Sequence, residues 1–307
     1  MPTKKKSFIF TDCDLDGAGS YILWPWFTGN TPDYIVTRVN DFGPRFKSWV
    51  AAGNLDKYER VYILDLDIST TECFDLVDNE KVTIIDHHQT HVDNIDKYKH
   101  AKLHVSTNTS CIKSLYTLFK KGGKELSAAK KMFIAMVDDY DSYNLKIPQS
   151  YHLNLIYWNY QGDRLSKLLN DFKSGFDSFT EEHQNIINFY LRKLDNIKKQ
   201  LDIHHAMIPI GEVKYRFVSV FADQCINEVA DHIIKNSKAD VGLVINLKSN
   251  KVSIRKSKSC ELKLGSFATK MFGDNGGGHD DAAGGIINDK FLQFSSLFKP
   301  SEIKIGK

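Results

Sequence analysis

The sequence predicts an α/β protein: a mostly parallel sheet flanked by helices, then a helical connector, then a smaller α/β unit. Two observations carry this. In the first half, short apolar runs alternate with stretches of helical periodicity, as crossover helices between parallel strands require. Three of the apolar runs also end in an acidic residue, and parallel sheets present their ligand sites outside the carboxyl ends of the strands. The 307 residues divide into 1–146, a connector over 147–208, and 209–307, each outer part long enough to bury its own core.

Along the chain, 7–11 (SFIFT) reads as a buried strand running into a carboxylate cluster, and 17–27 as a helix. A second strand is predicted over 34–40. A third covers 60–64 (RVYIL) and ends at Asp65, and a fourth covers 81–85 (KVTII) and ends at Asp86. Helical periodicity marks 110–120 and 128–137. From about 147 to 205 the pattern is helical with alternating charges, most continuously over 181–201. Strands return after Pro209, at 215–220, 241–247 and 251–255. A helix is expected over 261–272, followed by a loop of closely spaced glycines.

Composition narrows the function classes. The chain is 42% hydrophobic and 26% charged, and its 41 basic residues nearly balance 38 acidic ones for a formal charge of +3. Bulk charge therefore does not hold a long polyanion, and any phosphate site must be local. Cys13, Cys73, Cys111, Cys225 and Cys260 are far apart and form no CxxC pair, which argues against a disulfide frame or a zinc site. The start MPTKKKSFIF has too short an apolar stretch for a signal peptide, and no 18-residue apolar run follows. A cytoplasmic protein with no membrane segment is the expectation.

The chemistry concentrates in acidic clusters. Asp12, Asp14 and Asp16 alternate in TDCDLDGAGS, where Gly17 and Gly19 permit a tight path into the following helix. Three carboxylates this close repel one another unless a cation neutralises them. The plain alternative is an acidic loop that caps the helix. Asp86-His87-His88 at the end of the fourth strand, with Asp65 and Asp67 on its neighbour, weighs against that alternative. Imidazole among carboxylates suits Mn²⁺ or another borderline divalent ion better than Ca²⁺. A further cluster, Asp138, Asp139 and Asp141, follows the apolar run 132–137. Four clusters from separate elements fit a two-metal site that clamps the attacking and leaving oxygens of a phosphoryl group.

In this order the chain resembles the DHH family of phosphoesterases: Asp14-Leu15-Asp16-Gly17 with Ser20, then Asp65, then Asp86-His87-His88, then the cluster at Asp138. The last part resembles the family's associated substrate-binding domain. Its glycine motif stands as Gly276-Gly277-Gly278-His279 with Ala282, Ala283 and Gly284 following, and its strand motif as Ser253-Ile254-Arg255. The resemblance implies two divalent ions, foremost Mn²⁺ with Mg²⁺ or Co²⁺ as alternatives. It places Asp14 on one ion and Asp16 on the other, with Asp65 between them. His87 and one carboxylate of Asp138, Asp139 and Asp141 complete the second ion's ligands. Position favours Asp138, whereas the DDYD pattern favours Asp139 or Asp141. Asp12 stands near where many members carry a histidine upstream of DxD. His88, with Asp86 of the same motif, falls to the reacting phosphate. Ser253, Arg255, Gly276, Gly277, Gly278 and His279 fall to the far end of the substrate.

The function implied is a metal-dependent phosphodiesterase that hydrolyses short oligonucleotides, either nano-RNA or linear dinucleotides. The rival readings are a RecJ-like single-strand DNA exonuclease, a cyclic (di)nucleotide phosphodiesterase, a pyrophosphatase-type enzyme, and a catalytically inactive nucleotide-binding module. Whether the chain forms a homodimer stays open. Tyr21, Trp24, Trp26 and Phe27 have helical spacing and are expected in the core, whereas Tyr140 and Tyr143 are the better candidates for base stacking.

Overall fold

A computed structural model describes residues 5–69, 71–278 and 280–288, and the chain divides into two compact units at Ile187 and Asn188. Among the described residues, five strands of the first unit form one sheet: β1 (Lys5–Thr11), β2 (Asp33–Val36), β3 (Tyr58–Leu64), β4 (Val82–Asp86) and β5 (Lys102–Val105). They lie in the order β2-β1-β3-β4-β5, and every pairing is parallel. β1, β3 and β4 are therefore neighbours whose carboxyl ends share one edge.

Strand alternation sorts the side chains onto two faces. Ile9, Leu64 and Ile85 face one core, shared with helices α1 (Leu15–Thr28), α5 (Cys111–Lys120), α6 (Ala128–Asp141), α7 (Pro148–Asn159) and α8 (Arg164–Asp171). Phe8, Phe10, Val61, Ile63, Val82 and Ile84 face the other, against α2 (Val39–Ala51) and the single turn α3 (Phe74–Val77). Each large apolar side chain fully withdrawn from water here, such as Phe10 or Ile63, contributes roughly 1.5–3 kcal/mol. Tyr21, Trp24 and Trp26 are buried in the first core, as their spacing predicts. A short helix α4 (Gln89–Asp93) follows β4 directly.

The segment predicted as a connector is divided. α7 and α8 pack within the first unit, while α9 (Glu181–Lys199) runs across the boundary. In the second unit the sheet order is β10-β11-β9-β8-β7-β6. Its strands are β6 (His204–Ile210), β7 (Val213–Phe221), β8 (Val241–Asn246), β9 (Lys251–Lys256), β10 (Gly276–Gly278) and β11 (Ala282–Ile286). Helix α10 (Ile226–Ser237) covers Val218, Val220 and Val244 on one face. Helix α11 (Leu264–Phe272) covers Phe217, Leu243, Val252 and Ile254 on the other. Among the described residues no helix is long and apolar enough to cross a membrane.

The sequence reading needs three corrections. The second strand stops at Val36, because 39–51 form the amphipathic helix α2 and Phe42, Phe46 and Trp49 point inward. The helix expected to end at 137 continues to Asp141, so the last acidic cluster lies within its last turn rather than after it. The glycines at 276–278 form a strand paired antiparallel with β11, not a loop. A Cβ at Gly276 would lie 2.3 Å from the Ala268 carbonyl oxygen, so glycine is what lets this strand lie against α11.

Candidate metal centre

The parallel register brings the acidic residues to one place. Asp12 follows β1, Asp65 follows β3, and Asp86 closes β4. Asp14 is the N-cap of α1, and its carboxylate accepts the Gly17 N–H at 2.9 Å. A Cβ at Gly17 would stand 2.6 Å from the Asp12 carbonyl oxygen, so the tight turn that gathers Asp12, Asp14 and Asp16 needs glycine there. Asp65 has φ of +56°, a left-handed conformation that costs a non-glycine residue about 1–3 kcal/mol. The strain redirects the chain just past the strand and turns the buried Asp65 carboxylate toward the cluster.

Three groupings place ligand atoms within 4.8 Å of one another: Asp12, Asp14 and Asp65; Asp16, His87 and Asp141; and Asp65, Asp86, His87 and His88. Asp65 and His87 each belong to two of them. His87 spans the centre, with Nε2 3.2 Å from Asp65 and Nδ1 3.7 Å from Asp141.

The electrostatics of these groupings could accommodate cations. Burial, followed by the charge of Asp14, pushes the carboxyls of Asp12 and Asp141 up to about 7. Burial, then Asp141 and Asp14, raises Asp16 well above the carboxylate range. Burial, then Asp16, Asp14 and Asp141, does the same for Asp65. Divalent cations would reverse these shifts by supplying the missing opposite charge. Oxygen-rich groups with one imidazole suit Mn²⁺ or Mg²⁺ chemistry, so the donor set fits two such ions that share Asp65.

Helical spacing separates the three carboxylates at the end of α6. Asp138 and Asp141 are three residues apart and share a face, whereas Asp139 turns away. Asp141 joins the centre. Asp138 accepts the Ser110 N–H at 3.1 Å and its hydroxyl at 2.8 Å. Asp16 accepts the amides of Cys111 and Ile112 at 2.6 and 2.9 Å. Two carboxylates thus meet the positive N-terminal end of α5, where the helix dipole stabilises them. Asp139 is buried elsewhere and accepts from Lys146 N–H, Ile147 N–H and the Ser150 hydroxyl. Burial acts against its charge, but these bonds hold its carboxyl below the usual range.

Asp86 is wholly buried, and protein groups occupy both its oxygens. Oδ1 takes the His87 N–H at 2.7 Å and His88 Nδ1 at 2.8 Å, and Oδ2 takes His91 Nε2 at 2.8 Å. Burial disfavours the His88 cation, but the Asp86 bond and charge outweigh it and raise the imidazole to about 9. Burial would likewise raise Asp86, yet its bonds to His88 and His91 hold it below the usual carboxylate range. Asp86 therefore orients His88. Sequence reasoning did not single out His91, because a lone histidine three residues past the motif has no distinguishing pattern. It also missed Arg38, an exposed guanidinium whose charge bears on Asp12 and Cys13.

In the second unit, Ser253 and Arg255 alternate on β9 and share a sheet face. Arg255 donates through Nη2 to Asn227 Oδ1 at 2.7 Å and through Nη1 to the Ile254 carbonyl at 3.1 Å. Beside this row lie Gly284, opposite Ser253, and Gly277, opposite Gly284. Among the described residues, a Cβ at Gly277 would meet nothing within 4 Å. Lys256 and Lys263 are engaged instead with Asp281 and Asp280. His279 lies outside the described residues.

A parallel sheet with a carboxylate–imidazole centre at its carboxyl edge, followed by a second α/β unit, defines a fold shared with several known proteins. Residues 212–299 match the DHHA1 domain family. The chain is 13% identical to the pGpG-specific phosphodiesterase PggH of Vibrio cholerae, with a TM-score of 0.57, over 96% of this chain and 98% of that one. It is 14% identical to an exopolyphosphatase-related protein of Bacteroides fragilis, with a TM-score of 0.54, over 96% and 90%. It is 13% identical to RecJ of Thermus thermophilus in complex with Mn²⁺, with a TM-score of 0.54, over 95% of this chain and 51% of RecJ. At these identities the likeness is one of fold. No curated protein matches the chain by sequence.

Proposed function

We propose that the chain is a DHH-family phosphoesterase, a metal-dependent phosphodiesterase that hydrolyses short oligonucleotides such as nano-RNA or linear dinucleotides. The observation that carries this is that Asp65 groups with Asp12 and Asp14 on one side and stands 3.2 Å from His87 on the other, and His87 in turn groups with Asp16 and Asp141, as two neighbouring cations require. Asp12, Asp14 and Asp65 would hold one ion, and Asp16, His87 and Asp141 the other, with Asp65 between them. Bound ions would polarise a phosphoryl oxygen and acidify a water molecule.

The chain's own groups do the rest. His88 is held through Nδ1 by Asp86, whose bond and charge favour its protonated imidazole. Its Nε2 would donate to a phosphoryl oxygen, where charge builds in the transition state. Arg255, braced by Asn227, keeps further N–H groups for a terminal phosphate. Ser253 and the backbone of Gly277 add smaller donors on the same face. The near-balanced charge of the chain supports a short substrate gripped locally over a polymer held by a broad basic surface. The PggH and RecJ folds accommodate phosphodiester chemistry, which agrees with this reading.

The test is incubation of purified protein with Mn²⁺ and end-labelled RNA and DNA of two to twenty nucleotides. Cleavage of the shortest species supports the proposal, and inertness toward every phosphodiester offered sinks it.

A further inference from the structure

We propose that His91 is a positioning residue of the metal centre, fixing the His88 ring through Asp86 and the backbone that carries Asp65 through the Leu66 carbonyl. His91 is wholly buried on α4. Its Nε2 lies 2.8 Å from Asp86 Oδ2 and 3.1 Å from the Leu66 carbonyl oxygen. Both partners are acceptors, so Nε2 carries the hydrogen. Nδ1 lies 2.5 Å from the Tyr98 hydroxyl, which donates to it in the neutral ring. The result is a chain of hydrogen bonds that meets at Asp86: Tyr98 donates to His91, His91 donates to Asp86, and His88 donates to Asp86 from its other side.

The two acceptors of Nε2 belong to different strand ends. Asp86 closes β4, and its other oxygen holds His88 Nδ1 at 2.8 Å. Leu66 lies between Asp65 and Asp67, one residue past the left-handed turn at Asp65. A strained backbone persists only where its surroundings over-determine it, and the Leu66 carbonyl bond supplies one such restraint. One imidazole thus pins together the two strand ends that deliver His88 and Asp65. An apolar residue of similar size at 91 would take this donor from the Leu66 oxygen and leave Asp86 Oδ2 only the longer contact with His88 Nδ1 at 3.0 Å, a loss that the interior penalises. Partners of this kind behind a metal site typically change affinity or activity by 10–100-fold when removed.

The test uses the full chain with His91→Leu, His91→Gln and Tyr98→Phe. Glutamine retains an N–H that reaches where Nε2 lies, whereas leucine has none. In metal-free protein the His88 Nδ1–H held by Asp86 should give a protected low-field proton resonance, identified by its loss in His88→Ala. That signal is expected to survive His91→Gln and to broaden into solvent exchange in His91→Leu. An unchanged signal in His91→Leu overturns the proposal. The activity arm rests on the phosphodiesterase reading: His91→Leu should lower kcat about 10–100-fold with little change in KM, and His91→Gln should restore most of it. Combined with His88→Ala, the His91→Leu loss should fall short of the product of the two single losses, and full multiplicativity counts against the proposal. If His91→Leu fails to fold, Tyr98→Phe decides, with a weakened His88 signal expected and an unaltered one refuting the relay. A wild-type protein that hydrolyses nothing refutes the phosphodiesterase reading alone, since the proton signal still judges the positioning.

Discussion

His87 Nε2 stands 3.2 Å from Asp65 Oδ1, although the two residues leave different strands of the sheet. The contact follows from register: β3 and β4 pair in parallel with Leu64 opposite Ile85, so the residues just beyond their ends emerge side by side. His87 also faces Asp141 from the last turn of α6. An imidazole between buried Asp65 and half-buried Asp141, with Asp12, Asp14 and Asp16 close by, sits in a concentration of negative charge.

Metal binding should therefore stabilise as well as activate. Titration with Mn²⁺ should raise Tm in a concentration-dependent way, since a ligand bound only by the native state stabilises by mass action. EDTA should return Tm to its starting value and abolish hydrolysis. A Tm indifferent to every divalent ion tried would rule out the assignment of these residues.

Asp65 invites a test in which stability and activity part company. Asp65→Gly removes a buried like charge and relieves the left-handed strain, so the metal-free variant should melt higher than the wild type. Without the shared ligand, kcat/KM should fall at least ~100-fold, which is about 2.7 kcal/mol at 1.36 per decade. A variant that keeps more than roughly a tenth of the activity would contradict the shared-ligand role.

The carboxylates of α6 should divide by role. Asp141→Asn should abolish metal binding while leaving the urea midpoint near that of the wild type. Asp139→Ala should retain metal binding but lose about 1–3 kcal/mol of stability, because the Lys146 and Ile147 amides and the Ser150 hydroxyl lose their acceptor. The reverse result, a stable Asp139 variant that binds no metal, would exchange the assignments.

How much of this was legible in the sequence depends on the kind of signal. Asp65 and Asp86 were visible because apolar strands announce their ends, and a carboxylate there has few structural reasons to exist. The division among Asp138, Asp139 and Asp141 was not visible, because apolar periodicity stops at Val137 while the helix continues through charged residues. α2 was hidden by Gly43 and Pro44, which read as a break, and β10 by three glycines of low strand propensity. The role of Asn227 emerges only from the fold, since it reaches Arg255 from a helix 28 residues away in sequence.

Arg255 and Asn227 should affect substrate binding rather than turnover. Arg255→Ala should raise KM more than it lowers kcat, because an anchor on a non-reacting phosphate binds ground and transition states alike. Asn227→Ala should shift KM in the same direction by a smaller factor, since the guanidinium loses one brace but keeps the Ile254 carbonyl. A kcat effect without a KM effect in Arg255→Ala would place this residue at the reacting phosphate instead.

Substrate length is the sharpest test of the proposed activity. Ser253, Arg255 and Gly277 belong to one unit, and the carboxylate–imidazole centre to the other. If one substrate uses both, anchoring contributes fully once the molecule is long enough to touch each. Further nucleotides then add contacts only if a basic surface continues to receive them. With 41 basic residues set against 38 acidic ones, and Lys256 and Lys263 beside this anchor facing acidic partners, the overall charge does not favour such a surface. We therefore expect kcat/KM to peak at roughly two to five nucleotides and then decline. Salt inhibition should be shallow, reflecting few displaced counterions. Removing the terminal phosphate should raise KM in the wild type and have little effect in Arg255→Ala, because the variant has already lost that contact. Rates that climb steadily to twenty nucleotides, with steep salt inhibition, would instead identify an enzyme that tracks long single strands.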